Sequence, residues 1–350
     1  MQNSYIISTR KSPLALWQAN KTQELLLKHN IQTKLQTVVT TGDKMQKSAL
    51  ASLSLNDKNL PPHLATGKGL FIKEVQELLL NNEAHIAVHS MKDLPTEQTS
   101  GLAIGAVLTR GSPNDVLILS PELKHEMNQF NLSFETSSFN DIKKCLLKCN
   151  SFQLKPIGTT SLRRQYLMRK IFASQLNLVT LRGNIDSRLK KVQNNEFSAI
   201  LLAQAGLERL NLFSKNDMII LPTKEFVPAA AQGVVAIECS HDNLNLLNKL
   251  QKINCTHTCQ AAVIERLILD YFDGGCHSTV GIFFDNINKI EIIYGQSNIQ
   301  KDFTIVLSEK CMRELISVTN KSKNYTEMYD TLMDSFVLNE IKMNLVKEGL

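Results

Sequence analysis

The chain has 350 residues, 43% hydrophobic and 21% charged, a balance that suits two or three domains with cores of their own and excludes a disordered or fibrous protein. Its net charge of +6 is mild, aromatics are 6%, and the basic residues stand in separated turns rather than in runs, so a nucleic-acid surface is not expected. No stretch approaches the roughly 18 apolar residues of a membrane span, and residues 1–8 lack the basic start and long apolar run of a secretion signal, which points to a cytoplasmic protein with no membrane partner.

In chain order, residues 5–8 read as a strand. Ser12 then caps a helix whose first position is Pro13 and whose apolar residues Leu14, Leu16, Trp17 and Leu25 carry it to about residue 29. Residues 33–40 alternate as a strand, residues 70–81 have helical apolar spacing, and residues 85–89 form a short strand that stops at Ser90-Met91-Lys92-Asp93-Leu94-Pro95. Strands follow at 102–108 and 116–119. From residue 157 the alternation repeats, with a turn, a helix over 162–172, a strand over 176–181, a helix over 185–194 and a strand over 198–202. This alternation predicts an α/β fold with helices on both faces of each sheet. Two stretches break the rhythm. Residues 44–66 are polar, contain proline and are long for a connection, so they read as a loop; residues 120–155, rich in Asn, Ser and Lys, read as an insertion with one helix around 141–149. A helical run over 260–271 leads to Gly274-Gly275-Cys276, then to strands near 281–284, 290–294 and 303–307 and a closing helical region, the pattern of a small third domain.

Seven cysteines, an odd number without the spacing of a disulfide framework, are expected to be reduced. Cys145 and Cys149 fit one face of a helix, and Cys255-Thr256-His257-Thr258-Cys259 lacks further ligands at a partner spacing, so no metal is expected. Three strand-to-helix turns carry arginine: Ser8-Thr9-Arg10-Lys11-Ser12-Pro13, Gly158-Thr159-Thr160-Ser161-Leu162-Arg163-Arg164, and Leu181-Arg182-Gly183-Asn184-Ile185-Asp186-Ser187-Arg188. A helix start already presents unpaired N–H groups and positive potential, so cations there do not stabilise the helix. They concentrate a field that suits a small, highly anionic ligand.

These turns, together with Ser12-Pro13-Leu14-Ala15-Leu16-Trp17-Gln18-Ala19, Gly67-Lys68-Gly69-Leu70-Phe71, Ala87-Val88-His89-Ser90-Met91-Lys92-Asp93-Leu94-Pro95 and Gly274-Gly275-Cys276, resemble the porphobilinogen deaminase family, whose motifs they follow in order over residues 6–281. The resemblance implies two periplasmic-binding-protein-like (type II) α/β domains flanking a cleft, plus a small α+β C-terminal domain. It places the first domain at 1–108 and 234–252, the second at 109–233 and the third at 253–350. It implies a monomeric transferase carrying a dipyrromethane cofactor bound by thioether to Cys276. Four porphobilinogen molecules condense on that primer with loss of ammonia, and water releases the linear tetrapyrrole hydroxymethylbilane. By the same resemblance Asp93 and Lys92 are catalytic, while Cys276, Lys68, Ser90, Asp93, Thr159, Ser161, Arg163, Arg164, Arg188 and Gly206 bind the cofactor. Arg10, Ser12, Phe71, Arg182, Arg188, Arg209 and Gln232 are implied to bind substrate.

The residue chemistry agrees with that reading. Each pyrrole ring of the substrate brings two carboxylates, and arginine forks bind carboxylates bidentately while staying charged. Loss of ammonia leaves a cationic azafulvene, and one carboxylate among many bases, Asp93, suits the stabilisation of that charge. Two glycines before Cys276 let the backbone turn and expose the sulfur to an electrophile. The sequence departs from the family at Pro228-Ala229-Ala230-Ala231-Gln232-Gly233, where the usual run is Pro-Ala-Val-Gly-Gln-Gly, and at Lys47, where an acidic residue is common. A non-catalytic anion-binding protein of the periplasmic type would also explain the arginine turns, but it leaves Asp93 and Cys276 without a role and calls for a secretion signal. A phosphate-transferring enzyme would need a Gly-x-x-x-x-Gly-Lys-[Ser/Thr] loop, which Gly67-Lys68-Gly69-Leu70 does not form.

Overall fold

The computed structural model describes residues 4–38, 72–172, 175–272, 279–296 and 299–350. The expected loop at 44–66 and the residues Lys47, Lys68, Phe71 and Cys276 therefore lie outside the described residues.

Two five-stranded sheets share one strand order. The first is built from β1 (Tyr5–Arg10), β2 (Thr33–Val38), β3 (Ile86–Ser90), β4 (Leu102–Val107) and β10 (Val235–Ser240), arranged β2-β1-β3-β10-β4. Strand β1 runs parallel to β2 and β3, whereas β10 is antiparallel to both of its neighbours. The second contains β5 (Asp115–Leu119), β6 (Ile157–Gly158), β7 (Leu178–Val179), β8 (Ala199–Ala203) and β9 (Met218–Leu221), arranged β7-β6-β8-β5-β9, again with one strand, β5, antiparallel to its neighbours. In each sheet the antiparallel strand is the one the chain enters after crossing from the other sheet. The fold class expected from the alternation is thus present, with β7 cut to two residues where a strand over 176–181 was expected.

Local signals account for the helices. Ser12, Ser120, Ser138, Ser161, Ser308 and Ser335 each cap a helix by accepting a backbone N–H two to three residues into it. The helix Pro13–Leu27 buries Ala15, Gln18, Ala19, Thr22 and Leu26 against the first sheet. Asn30, Asn82, Asn131, Asn195 and Asn211 take positive φ just past helix ends, the role that glycine more often fills.

Residues 120–155, expected to carry one helix, carry three and pack into the core. They form the helices Pro121–Asn128, Phe139–Leu146 and Asn150–Leu154, and Leu123, Met127, Ile142, Leu146 and Phe152 are buried in one core with Leu117, Leu167 and Leu201 under the second sheet. Their polar residues face outward, and this hid the apolar set on the inner face.

The two crossings, 108–114 and 222–234, run side by side: Leu108 donates its N–H to Val235 O and Gly111 to Gly233 O, each at 3.0 Å. Gly233 has φ +86°, and a Cβ there would sit 2.5 Å from Gly111 O, so this turn requires glycine. Two residues earlier Ala231 takes φ +57° in the left-handed region, at a position where the family pattern has glycine.

The third sheet is an antiparallel meander of β11 (Thr279–Phe284), β12 (Lys289–Gln296) and β13 (Ile299–Val306). The helix Thr256–Tyr271 lies between it and the rest, and buries eleven consecutive residues from Thr258 to Ile268. Its core joins the C-terminal helices Glu309–Lys321, Tyr325–Met333 and Phe336–Lys347 to Met91, Leu94 and Ile104 of the first sheet's half.

Candidate active site

A cavity of about 520 Å³ lies between the two five-stranded sheets. That size is within the usual range for a small-molecule site. One wall is formed by Arg10, Ser12, Lys92 and Asp93, and the other by Thr160, Ser161, Arg163, Arg164, Arg188 and Gly206, with Gln232 from the second crossing at its base. A side pocket of about 90 Å³ adjoins it, lined by Arg10, Gln18, His89, Ser90 and Asp93. Gln18 donates to Ser90 Oγ there at 2.9 Å. A wider concavity of about 700 Å³ elsewhere is lined by Glu97, Asp242, Asp270 and Asp330, an acidic surface that repels a polycarboxylate.

The carboxylate of Asp93 is presented by a short turn. Strand β3 ends at Ser90, and Met91–Asp93 makes one 3-10 turn that leaves Met91 buried and Asp93 exposed to the cavity. The turn is clamped from behind by Arg266, a guanidinium only 1% exposed. Arg266 donates to Met91 O at 3.3 Å, to Leu94 O at 3.0 Å, to Pro95 O and to Tyr325 Oη at 3.0 Å. Three backbone carbonyls around Asp93 are thereby satisfied by one side chain from the helix Thr256–Tyr271, and no feature of the local sequence announces it.

Lys92 is half-buried, and its Nζ donates to Gln232 Oε1 at 3.2 Å. Burial, with Arg164 nearby, lowers its ammonium to about 8, while Asp93 and Asp115 act in the opposite direction. Arg188 is also lowered, to about 10, by burial and Arg164, against Asp93; its Nε donates to Gly183 O at 2.7 Å.

Arg163 and Arg164 line the cavity, but neither offers it a free fork. Both are buried against the carboxylate of Asp115, which is fully inaccessible at the start of β5. Arg163 Nη2 reaches Asp115 Oδ2 at 2.7 Å and its Nη1 reaches Val227 O at 2.7 Å. Arg164 places Nε and Nη2 on Asp115 Oδ1 at 2.9 and 2.7 Å and Nη1 on Leu201 O at 3.0 Å. Burial works against a charge on Asp115, yet Arg163, Arg164 and Lys92 outweigh it and hold that carboxyl at about 2. Among the described residues Arg163 Nε is buried without a hydrogen-bond partner.

Other expected residues divide between the cavity and the scaffold. Arg10, Ser12, Ser161, Arg188, Gly206 and Gln232 are at the cavity, and Ser90 is in the side pocket. Thr159 is buried behind it, with its hydroxyl accepting from Ser161 N at 3.2 Å. Arg182 is exposed and does not line the cavity. Arg209, expected at the substrate, is turned to the crossing instead: Nη2 donates to Gly233 O at 2.6 Å and the guanidinium lies 5.4 Å over the Trp17 ring. Asp115, Arg266 and Glu265 were not expected. Glu265, fully buried, accepts from Arg110 Nη1 at 2.7 Å, from Ala231 N at 2.6 Å and from Phe284 N at 3.0 Å. It thereby ties both crossings to the third sheet.

The donor set fits a polycarboxylate ligand: cationic groups from both walls and capping hydroxyls, with the exposed carboxylates of Asp93 and Asp186 among them. The family model described as porphobilinogen deaminase, dipyromethane cofactor binding domain, matches residues 5–248. A porphobilinogen deaminase of Legionella pneumophila (strain Lens) is 37% identical over 285 residues, covering 79% of this chain and 78% of that protein. A porphobilinogen deaminase of Campylobacter jejuni (strain RM1221) is 36% identical over 279 residues, covering 79% of each. Among solved structures, that of the methionine binding protein MetQ has a TM-score of 0.39 at 10% identity, covering 78% of this chain and 96% of that one.

Proposed function

The chain belongs to the porphobilinogen deaminase family, and from that premise we propose the roles of its residues in making hydroxymethylbilane, the transferase reaction in which four porphobilinogen molecules are joined with loss of ammonia. The observation that carries the proposal is the exposed carboxylate of Asp93, set beside Lys92 and facing a cationic wall across a cavity of about 520 Å³.

The bound dipyrromethane supplies the pyrrole carbon on which the chain is built, and Cys276 is the residue that holds it. Arg10 and Arg188 take carboxylates of the growing chain, with Ser12, Thr160 and Ser161 adding hydroxyl contacts. Asp93 accepts from pyrrole N–H groups and stabilises the positive charge that develops as ammonia leaves. Lys92 sits beside it, changing between ammonium and amine near pH 8, and is suited to handing protons to and from the reacting rings. Placing Asp93 on one sheet and most of the bases on the other lets a lengthening polyanion slide along the basic wall while the reacting ring stays at Asp93.

We assign residues 1–108 with 234–252, 109–233 and 253–350 to the three domains, with Cys276 carried by the last. Among the described residues no helix is long and apolar enough to cross a membrane. The protein is proposed to act as a cytoplasmic monomer on free porphobilinogen, without nucleic acid.

Denatured intact mass with peptide mapping is the direct test. An excess of two linked pyrrole units on the peptide containing Cys276, extended by further pyrrole units on incubation with porphobilinogen, is expected. A bare polypeptide mass that stays bare under those conditions overturns the assignment.

A further inference from the structure

Asp115 does not touch the open space of the cavity, yet four cationic or polar groups around the site depend on it. Its Oδ2 takes Arg163 Nη2, and its Oδ1 takes Arg164 Nε, Arg164 Nη2 and, at 3.2 Å, Gln232 Nε2. Gln232 is itself inaccessible, and its amide nitrogen also donates to Pro113 O at 2.7 Å. Two acceptors on one side fix which end of that amide faces which way, because an amide nitrogen cannot accept. Oε1 is therefore turned toward domain one, where Lys92 Nζ donates to it.

We infer that Asp115 is a positioning residue of the reaction: through Gln232 it holds the Lys92 amine in its place beside Asp93, and through Arg163 and Arg164 it fixes the cationic wall that faces it.

Two further observations argue against a merely structural ion pair. A buried carboxylate with two guanidinium groups is costly to desolvate, and a packed apolar trio of the same volume is often at least as stable. Here two guanidinium groups and an amide converge on it, the amide carries the contact on to Lys92, and all four of these residues line the cavity. The charged groups facing Lys92 are Asp93 on its own turn, Asp115 from β5, and Arg163 and Arg164 from the helix Leu162–Ile171. Arg188, from the helix Ile185–Gln193, faces Asp93 and Arg164 in turn. Of these, the two carboxylates favour the ammonium form and the arginines oppose it, so removing the charge of Asp115 must move Lys92 toward the free amine.

The inference rests on the roles proposed above for Asp93 and Lys92, and its test separates the two. Full-length wild type, Asp115→Asn and Gln232→Met are each labelled with acetic anhydride across pH, and acetylation of Lys92 is followed by peptide mapping. In both variants the midpoint for Lys92 is expected to fall by about half a unit to one unit. With porphobilinogen, turnover is expected to drop roughly tenfold or more, with the alkaline limb of the pH profile displaced in the same direction. Gln232→Met keeps the Asp115 carboxylate and its arginines in place, so it decides the matter if Asp115→Asn fails to fold. An unmoved Lys92 midpoint in folded variants overturns the positioning role, whatever the activity. A wild type that makes no tetrapyrrole overturns the functional reading, while the labelling midpoints still report whether Asp115 and Gln232 govern Lys92.

Discussion

In both five-stranded sheets the strand second in order ends at a serine that caps the following helix: Ser12 after β1 accepts from Ala15 N, and Ser161 after β6 accepts from Arg164 N, each at 3.4 Å. The halves part company after the third strand. Behind β3 the chain makes the tight turn carrying Lys92 and Asp93, whereas behind β8 it enters the helix Gln204–Arg209, whose buried Gly206 offers the cavity only a smooth floor. One scaffold used twice thus supplies helix starts on both walls, with Asp93 beside Lys92 on the first and Asp186, in the helix Ile185–Gln193, on the second.

The largest expected effect tests that asymmetry. Asp93→Asn is expected to leave the melting temperature unchanged, since the side chain is exposed, and to slow chain elongation by about 10²–10⁴-fold, read by following each added pyrrole by mass. Elongation at the wild-type rate would take the acid away from this wall altogether.

Next in size is the joint that holds the two sheets in register. Glu265→Gln places an amide among donors and leaves Arg110 without its counter-charge, which is expected to cost about 3–5 kcal/mol in urea unfolding. Acid should then distinguish the halves. Asp115 has its folded pKa depressed to about 2, so its contribution is present above the ordinary carboxylate pKa and is lost as pH falls from about 4 through about 2. That loss is worth about 2 kcal/mol, and hydrogen exchange on the strands of the second sheet is expected to register it before the first sheet does.

A smaller effect is expected at Ala231. Glycine accepts φ +57° without the Cβ penalty, so Ala231→Gly is expected to raise stability by about 0.5–1 kcal/mol, measured as a melting shift of a few degrees. A drop would mean that packing of the alanine methyl outweighs the backbone strain. Smallest of all, Arg182→Ala is expected to change KM less than about twofold, while Arg188→Ala raises it about tenfold or more, because only the second guanidinium lines the cavity. Equal effects would extend the binding wall beyond the cavity as drawn.

Much of this site could be read from consecutive residues. The cap at Ser12, the arginine turns and the Lys92-Asp93 turn are local, since capping, helix starts and tight turns are decided within a few residues of one another. The alternation of β and α elements was equally legible, because apolar periodicity is a local pattern. The core role of residues 120–155 was hidden because outward Asn, Ser and Lys outnumber the inward Leu, Ile and Phe that join the core. The partition of the arginines could not be read at all: Arg163, Arg164 and Arg209 look alike as sequence, and each is committed by a partner far along the chain.

By itself the sequence determined that the molecule is α/β, that basic turns converge on an anion, and that Asp93 and Cys276 belong to a porphobilinogen deaminase pattern. The tertiary structure decided which donors remain free. Asp115 meets Arg163 across 48 residues of chain, and Gln232 meets Lys92 across 140, so neither pairing leaves a local trace. Arg266 likewise reaches the carbonyls that hold Asp93 from 172 residues away at Leu94. The physical reason is that periodicity and capping act over one or two turns of backbone, whereas a buried charge is stabilised only by whichever groups the folded chain brings within hydrogen-bond distance.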